Sequence, residues 1–242
     1  MTQTQHRPRK NLRRDHCRHC RSPIVRQPGG RFWHDARMAT ISIPLFPLGT
    51  VLFPDGVLPL QIFEVRYLDM IGKCIAGGSP FGVVMLTEGQ EVRTPEAMEK
   101  FVQSGTLATV EENSTPSPGL LQVICRGGAR FRIKASERRG NGLWMAEIDF
   151  LAADMAVRIP SELQGAADAL ERVLASLGDV PEERWPVRLP FHLEDCGWVS
   201  NRWCELLPLP MAQKHGLLML DNPLIRLELM HDLLDEHGLI TS

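Results

Sequence analysis

The chain lacks any apolar run of the roughly 18 residues that a bilayer-spanning helix requires. It is short of aromatics, with one tyrosine in 242 residues and 6% Phe, Trp and Tyr together. It also lacks overall charge: the formal net value is −2, which gives no global bias toward nucleic acid. No apolar segment follows the basic N-terminus, so the pattern is not that of a secretory signal, and the cytoplasm is the expected compartment. A Gly-x4-Gly-Lys-Ser/Thr phosphate loop is missing, because Gly72-Lys73 is followed by Cys74 and has no preceding glycine at the right spacing. Six cysteines are present, and Cys74, Cys125, Cys196 and Cys204 sit among apolar neighbours. They read as small buried hydrophobes rather than a disulfide framework.

What is there is unevenly distributed. Residues 1–38 carry ten Arg/Lys against two Asp, residues 39–152 are nearly balanced, and residues 153–242 carry fifteen acids against seven bases. The first segment has almost no aliphatic periodicity, so it is expected to stay disordered. Met38, immediately before the first strand pattern, is an alternative start. Within that segment Cys17-Arg18-His19-Cys20 supplies one C-x2-C pair. Zinc needs four ligands and no second pair follows, so no metal site or other cofactor is assigned.

From residue 41 the pattern turns to strands. Ile41–Phe46 reads as one, with Pro44 in an edge or bulged position, and Val51–Phe53 as a second short extended piece. A helix is expected over about Ile62–Ala76, with Phe63, Tyr67, Met70 and Cys74 on its buried face. Phe81–Leu86 follows as a strand, then a polar loop over 87–105 with a short helical piece near Ala97–Val102. Four more strands are expected at Thr106–Glu112, Leu120–Arg126, Ala129–Ala135 and Leu143–Phe150. Turns at 114–119, Gly127-Gly128 and Gly140-Asn141-Gly142 would separate them. This density of short strands suggests a small barrel or pseudo-barrel. After Ala152 the period becomes helical. Leu163, Ala167, Leu170, Leu174 and Leu177 share one face, Asp195 caps a helix bearing Val199 and Trp203, and Asn222-Pro223 opens the last. The organisation is thus a tail (1–38), a β-rich part (39–152) and a helical bundle (153–242), an α+β chain.

Three ordered segments carry a resemblance. Ile43-Pro44-Leu45-Phe46-Pro47-Leu48-Gly49 leads through Phe53-Pro54 and Leu58-Pro59-Leu60-Gln61-Ile62-Phe63-Glu64. Gly105-Thr106-Leu107-Ala108-Thr109-Val110 is followed by Arg126-Gly127-Gly128-Ala129-Arg130-Phe131-Arg132-Ile133. Trp198-Val199-Ser200-Asn201-Arg202 leads to Leu206-Leu207-Pro208-Leu209-Pro210 and Leu220-Asp221-Asn222-Pro223-Leu224. Over about residues 41–237 the chain resembles the N-terminal, substrate-binding domain of the Lon proteases. That resemblance implies a PUA-like β pseudo-barrel followed by a helical bundle. It implies recognition of unfolded or partly folded polypeptides, with a protease as a further partner; no membrane partner is expected, because no apolar run is long enough to span a bilayer. Neither the ATPase motif nor a Ser-Lys peptidase region occurs in these residues, so a stand-alone, non-enzymatic module is expected, with a role as quality-control adaptor. The matched motifs are fold-forming, and no peptide-binding residue is carried over with them.

Arg126, Arg130, Arg132, Lys134, Arg138 and Arg139 cluster on one hairpin, and PUA-like folds include RNA binders. An RNA-binding module using residues 126–139 is therefore the alternative. The preferred reading is a solvated strand face opposite packed Phe131 and Ile133. His192, Glu194, Asp195 and Ser200 lie close together but inside no catalytic motif, and are read as cap and loop residues. Phe53, Leu58 and Leu60 around Pro54-Asp55-Gly56 are candidates for an exposed apolar patch, and the groove between barrel and bundle is another candidate site.

Overall fold

Strand-forming sequence dominates the first half of the fold and helical sequence the second. The computed structural model describes residues 41–88, 99–178, 181 and 185–240. The basic tail, the Cys17/Cys20 pair and Met38 lie outside them, as does most of the expected polar loop. The elements run β1 (Ile41–Leu48), β2 (Val57–Ile62), α1 (Val65–Gly77), β3 (Phe81–Glu88), β4 (Lys100–Ser117), β5 (Leu120–Arg138) and β6 (Trp144–Phe150). A 3-10 turn (Ser161–Leu163) then leads into α2 (Gln164–Ala175), α3 (Cys196–Leu206), α4 (Met211–Leu218) and α5 (Pro223–Glu236).

The sheet order is β2-β5-β4-β3-β1-β6, and β6 also pairs with β5, so the sheet curls into a barrel-like ring. β1 pairs antiparallel with β6 from Ile41 to Leu45 and parallel with β3 from Leu45 to Leu48. Pro44 and Pro47 therefore each sit where β1 has a strand on one side only, which spares the ladder the missing N–H. Ile43, Leu45, Val84, Leu107, Phe131, Ile133, Ala146 and Ile148 fill one side of the ring.

Several expectations are corrected. Val51–Phe53 is not a strand. The second strand is β2, where Pro59 is tolerated because β2 ends the sheet order. The helix starts at Val65 rather than Ile62, which leaves Phe63 outside it and 55% exposed. Tyr67, Met70, Ile71 and Cys74 do form its buried face, with Tyr67 stacked on Phe46 at 3.9 Å. Each such large apolar side chain contributes about 1.5–3 kcal/mol on burial. From Lys100 onward the expected loop and short helix are strand.

The largest correction concerns Gly127-Gly128, which is no turn: β5 runs through it for 19 residues. Gly127 N–H donates to the Gly56 carbonyl and Asp55 N–H donates to the Gly127 carbonyl, both at 2.8 Å. A Cβ on Gly127 would stand 2.0 Å from the Phe53 carbonyl oxygen. The glycine serves close approach of the 53–56 turn to the strand, not reversal of the chain.

The helical half matches its periodicity. Leu163, Ala167, Leu170 and Leu174 pack with Trp203, Leu227, Met230 and Leu234. Asp195 caps α3 by accepting from Trp198 N–H at 2.8 Å, and Asn222 caps α5 by accepting from Leu224 and Ile225. The same core takes in Val51, Phe53 and Met85 from the β half, so the described residues of both halves share one compact unit.

Candidate functional site

Barrel and bundle meet along a groove of about 610 Å3, lined by residues 54–55, 127–130, 151, 153–156, 192, 194–195, 197–198 and 201. Its barrel wall is a gap in the sheet. On the side of β5 away from β4, β2 pairs as far as Arg126 and β6 begins at Phe131. Loop backbone covers the two ends of this interval, Gly127 through Asp55 and Gly56, and Arg130 through Leu151 N–H at 2.9 Å. Gly128 and Ala129, both exposed, sit at a register shift opposite β4 and have no strand on the groove side. Short unpartnered sheet edges are templates for an added extended chain.

Arg130 holds the junction together. It is 3% exposed. Its Nη1 donates to the Leu218 carbonyl at 2.7 Å, and its Nη2 to the Ala152 carbonyl at 2.8 Å and to Asp154 and Asp221 at 3.3 Å. Asp154 also accepts from Arg226 Nη2 of α5. Burial pushes the Asp154 carboxyl above its ordinary pKa, against the pull of Arg226 and Arg130. Arg202 of α3 makes a further tie, donating to the Pro54 carbonyl at 2.7 Å and pairing with Glu205 at 3.1 Å. Burial raises Glu205 to about 7, opposed by Arg202, by the Phe53 backbone and by Lys214. A Cβ on Gly56 would stand 2.0 Å from Glu205 Oε1, so the turn and α3 meet without an intervening side chain.

The expected solvated face of Arg130, Arg132 and Lys134 is thus wrong at its first member. Alternation is kept, with Phe131 and Ile133 buried, but the bundle covers the strand at Arg130 and leaves Arg132 and Lys134 exposed. Three of the other hairpin bases face carboxylates: Arg126 with Asp55 and Glu111, Lys134 with Asp149, Arg139 with Glu137. Phe53 is fully buried and Leu58 and Leu60 pack onto the barrel core, so these three form no exposed patch.

Ser200 is buried, donates to the Gly197 carbonyl at 3.1 Å and accepts from Arg226 Nε at 3.3 Å. His192 faces Glu194 at 3.8 Å and lies edge-on to Trp198. These contacts are structural and bring no base onto the serine hydroxyl. A Ser–His contact does occur elsewhere, Ser104 Oγ with His215 Nε2 at 2.8 Å, tying β4 to α4. Burial lowers the His215 pKa. Among the described residues no group of three or more His, Cys, Asp or Glu could hold a metal ion, and no helix is long and apolar enough to cross a membrane.

Two buried side chains that local patterns could not place are Arg66, which bonds Glu99 at 2.8 Å and the Gly142 carbonyl at 2.9 Å, and Glu99, which also accepts from Trp144 Nε1. A second, more apolar groove of about 510 Å3 runs between α4 and α5 past Leu217, Leu229, Met230 and Leu233.

The chain is similar to a Lon N-terminal domain protein from Xanthomonas campestris, with 33% identity, a TM-score of 0.63, and 78% of this chain and 96% of that one covered. The N-terminal domain of a Mycobacterium avium complex Lon protease has the same fold, at 18% identity and a TM-score of 0.53, with 81% of this chain and 100% of that one covered. A Lon protease of Flavobacterium johnsoniae is 33% identical over 95 residues, which are 38% of this chain and 11% of that protein's length. The family described as the ATP-dependent protease La (LON) substrate-binding domain matches residues 42–236. With its six-stranded, barrel-like sheet followed by helices, the chain belongs to the LON substrate-binding domain family.

Proposed function

We propose that this chain binds extended, unfolded or partly folded polypeptide segments in the groove between barrel and bundle. It would deliver or hold them for a protease rather than cleave them, in the reducing cytoplasm where buried thiols persist. The observation that carries the reading is the two-residue gap on β5. Gly128 and Ala129 offer a strand edge of limited length at the mouth of the groove. An added strand takes affinity from main-chain hydrogen bonds, which are indifferent to client sequence, and apolar contacts with Trp198 and Met155 add to them. Membership of a substrate-binding family supports the same class of ligand.

The test is fluorescence anisotropy with a fluorescein-labelled, permanently unfolded polypeptide such as reduced and carboxymethylated α-lactalbumin. Ala129→Trp fills the groove from an exposed position and should weaken binding about tenfold or more, while circular dichroism stays unchanged. Equal affinity of wild type and Ala129→Trp would show that polypeptide does not bind in the groove.

A further inference from the structure

We infer that the groove is selective for a cationic side chain, a lysine or arginine carried by an extended segment. This rests on the polypeptide-binding reading above and names the residue class that the same site prefers. Four carboxylates line the groove against one arginine. Asp55 and Glu194 stand at its rim, both more than half exposed. Asp154, which holds Arg130 and Arg226, and Asp195, the α3 cap, lie deeper and add negative potential rather than open acceptors. The one arginine that lines it, Arg130, is already committed to four acceptors. His192, the other group able to carry positive charge there, faces Glu194.

A second, independent observation points the same way. Asn201 lines the groove, is 4% exposed, and its Oδ1 is buried without a hydrogen-bond partner. A buried acceptor left open costs free energy unless something donates to it. The buried Nη1 atoms of Arg202 and Arg226 also have no partner, but neither arginine lines the groove. With a turn of the Asn201 side chain toward the groove, an ammonium or guanidinium entering there would satisfy Oδ1 and face the carboxylates in a partly desolvated setting, where charge-assisted hydrogen bonds are strongest. Residues 153–242, with their excess of acids, add long-range attraction of the same sign.

The test uses the full chain and three fluorescein-labelled peptides, identical except for a central arginine, citrulline or glutamate. Citrulline keeps the shape of arginine and removes the charge. The expected result is binding of the arginine peptide about tenfold tighter than citrulline, with glutamate weaker still and the preference shrinking as salt is raised. Glu194→Gln should cut the preference with no change in fold. Asn201→Leu should cut it without lowering the melting temperature, because the variant removes an unsatisfied acceptor. Equal affinity for arginine and citrulline peptides overturns the inference and leaves the polypeptide reading standing. An arginine preference that survives both substitutions also overturns it, by placing the cation elsewhere. Failure of all three peptides and of the unfolded polypeptide overturns the reading beneath it.

Discussion

Replacing Arg130 with methionine tests whether one side chain couples barrel to bundle. The variant keeps the apolar stem and deletes the guanidinium. The Leu218 and Ala152 carbonyls then lose a charged donor, at about 1–3 kcal/mol each where no water replaces it. Asp154 retains Arg226, and Asp221, whose side chain is 81% exposed, adds little. The total is about 3–5 kcal/mol, the range for removing one partner of a buried ion pair. For a domain of this size the melting temperature should fall by roughly 6–20 °C. Lys134→Met is the control on the same strand. Its pairing with Asp149 at 3.1 Å is well exposed on both sides, so the shift should stay under about 2 °C. Differential scanning calorimetry on both variants decides it. Arg130→Met melting within about 3 °C of Lys134→Met would mean the buried network does not couple the halves.

Two further outcomes follow from the buried titratable groups. Glu205 has a folded pKa raised from 4.5 to about 7, so folding takes up a proton between those values and its contribution to stability falls as pH rises through that window. The change is on the order of 3 kcal/mol. Glu205→Gln should flatten that part of the pH profile of urea unfolding, and an unaltered slope would reject the assignment. Burial holds the Cys125 and Cys204 thiols up at about 12 and Cys196 at about 11, and raises Cys74 as well. All four should resist Ellman's reagent at neutral pH until the chain unfolds, read by mass spectrometry; fast labelling of any of them in the folded chain would contradict its burial.

Much of the fold is legible in the sequence because its signals are local. Asp195 and Asn222 announce helix starts through their own side-chain oxygens, and the buried stripe of α1 is a matter of spacing. Gly127-Gly128 misleads because a glycine pair serves a tight turn and a close backbone approach equally well. Which applies depends on Phe53, more than seventy residues away. Arg130 misleads for a related reason. Alternation sets the face on which a strand residue lies, but not where along that face another element ends its cover. The groove draws its lining from four separated segments, so no motif encodes it, although a domain junction is a general place to look.

The most direct test of the central claim is a backbone amide NMR titration of the full chain with the unfolded polypeptide. The largest saturable shifts should fall on residues 127–130, 151–156 and 192–201, with Gly128 and Ala129 foremost. Saturable shifts confined to the α4–α5 groove, or none at all, would contradict it.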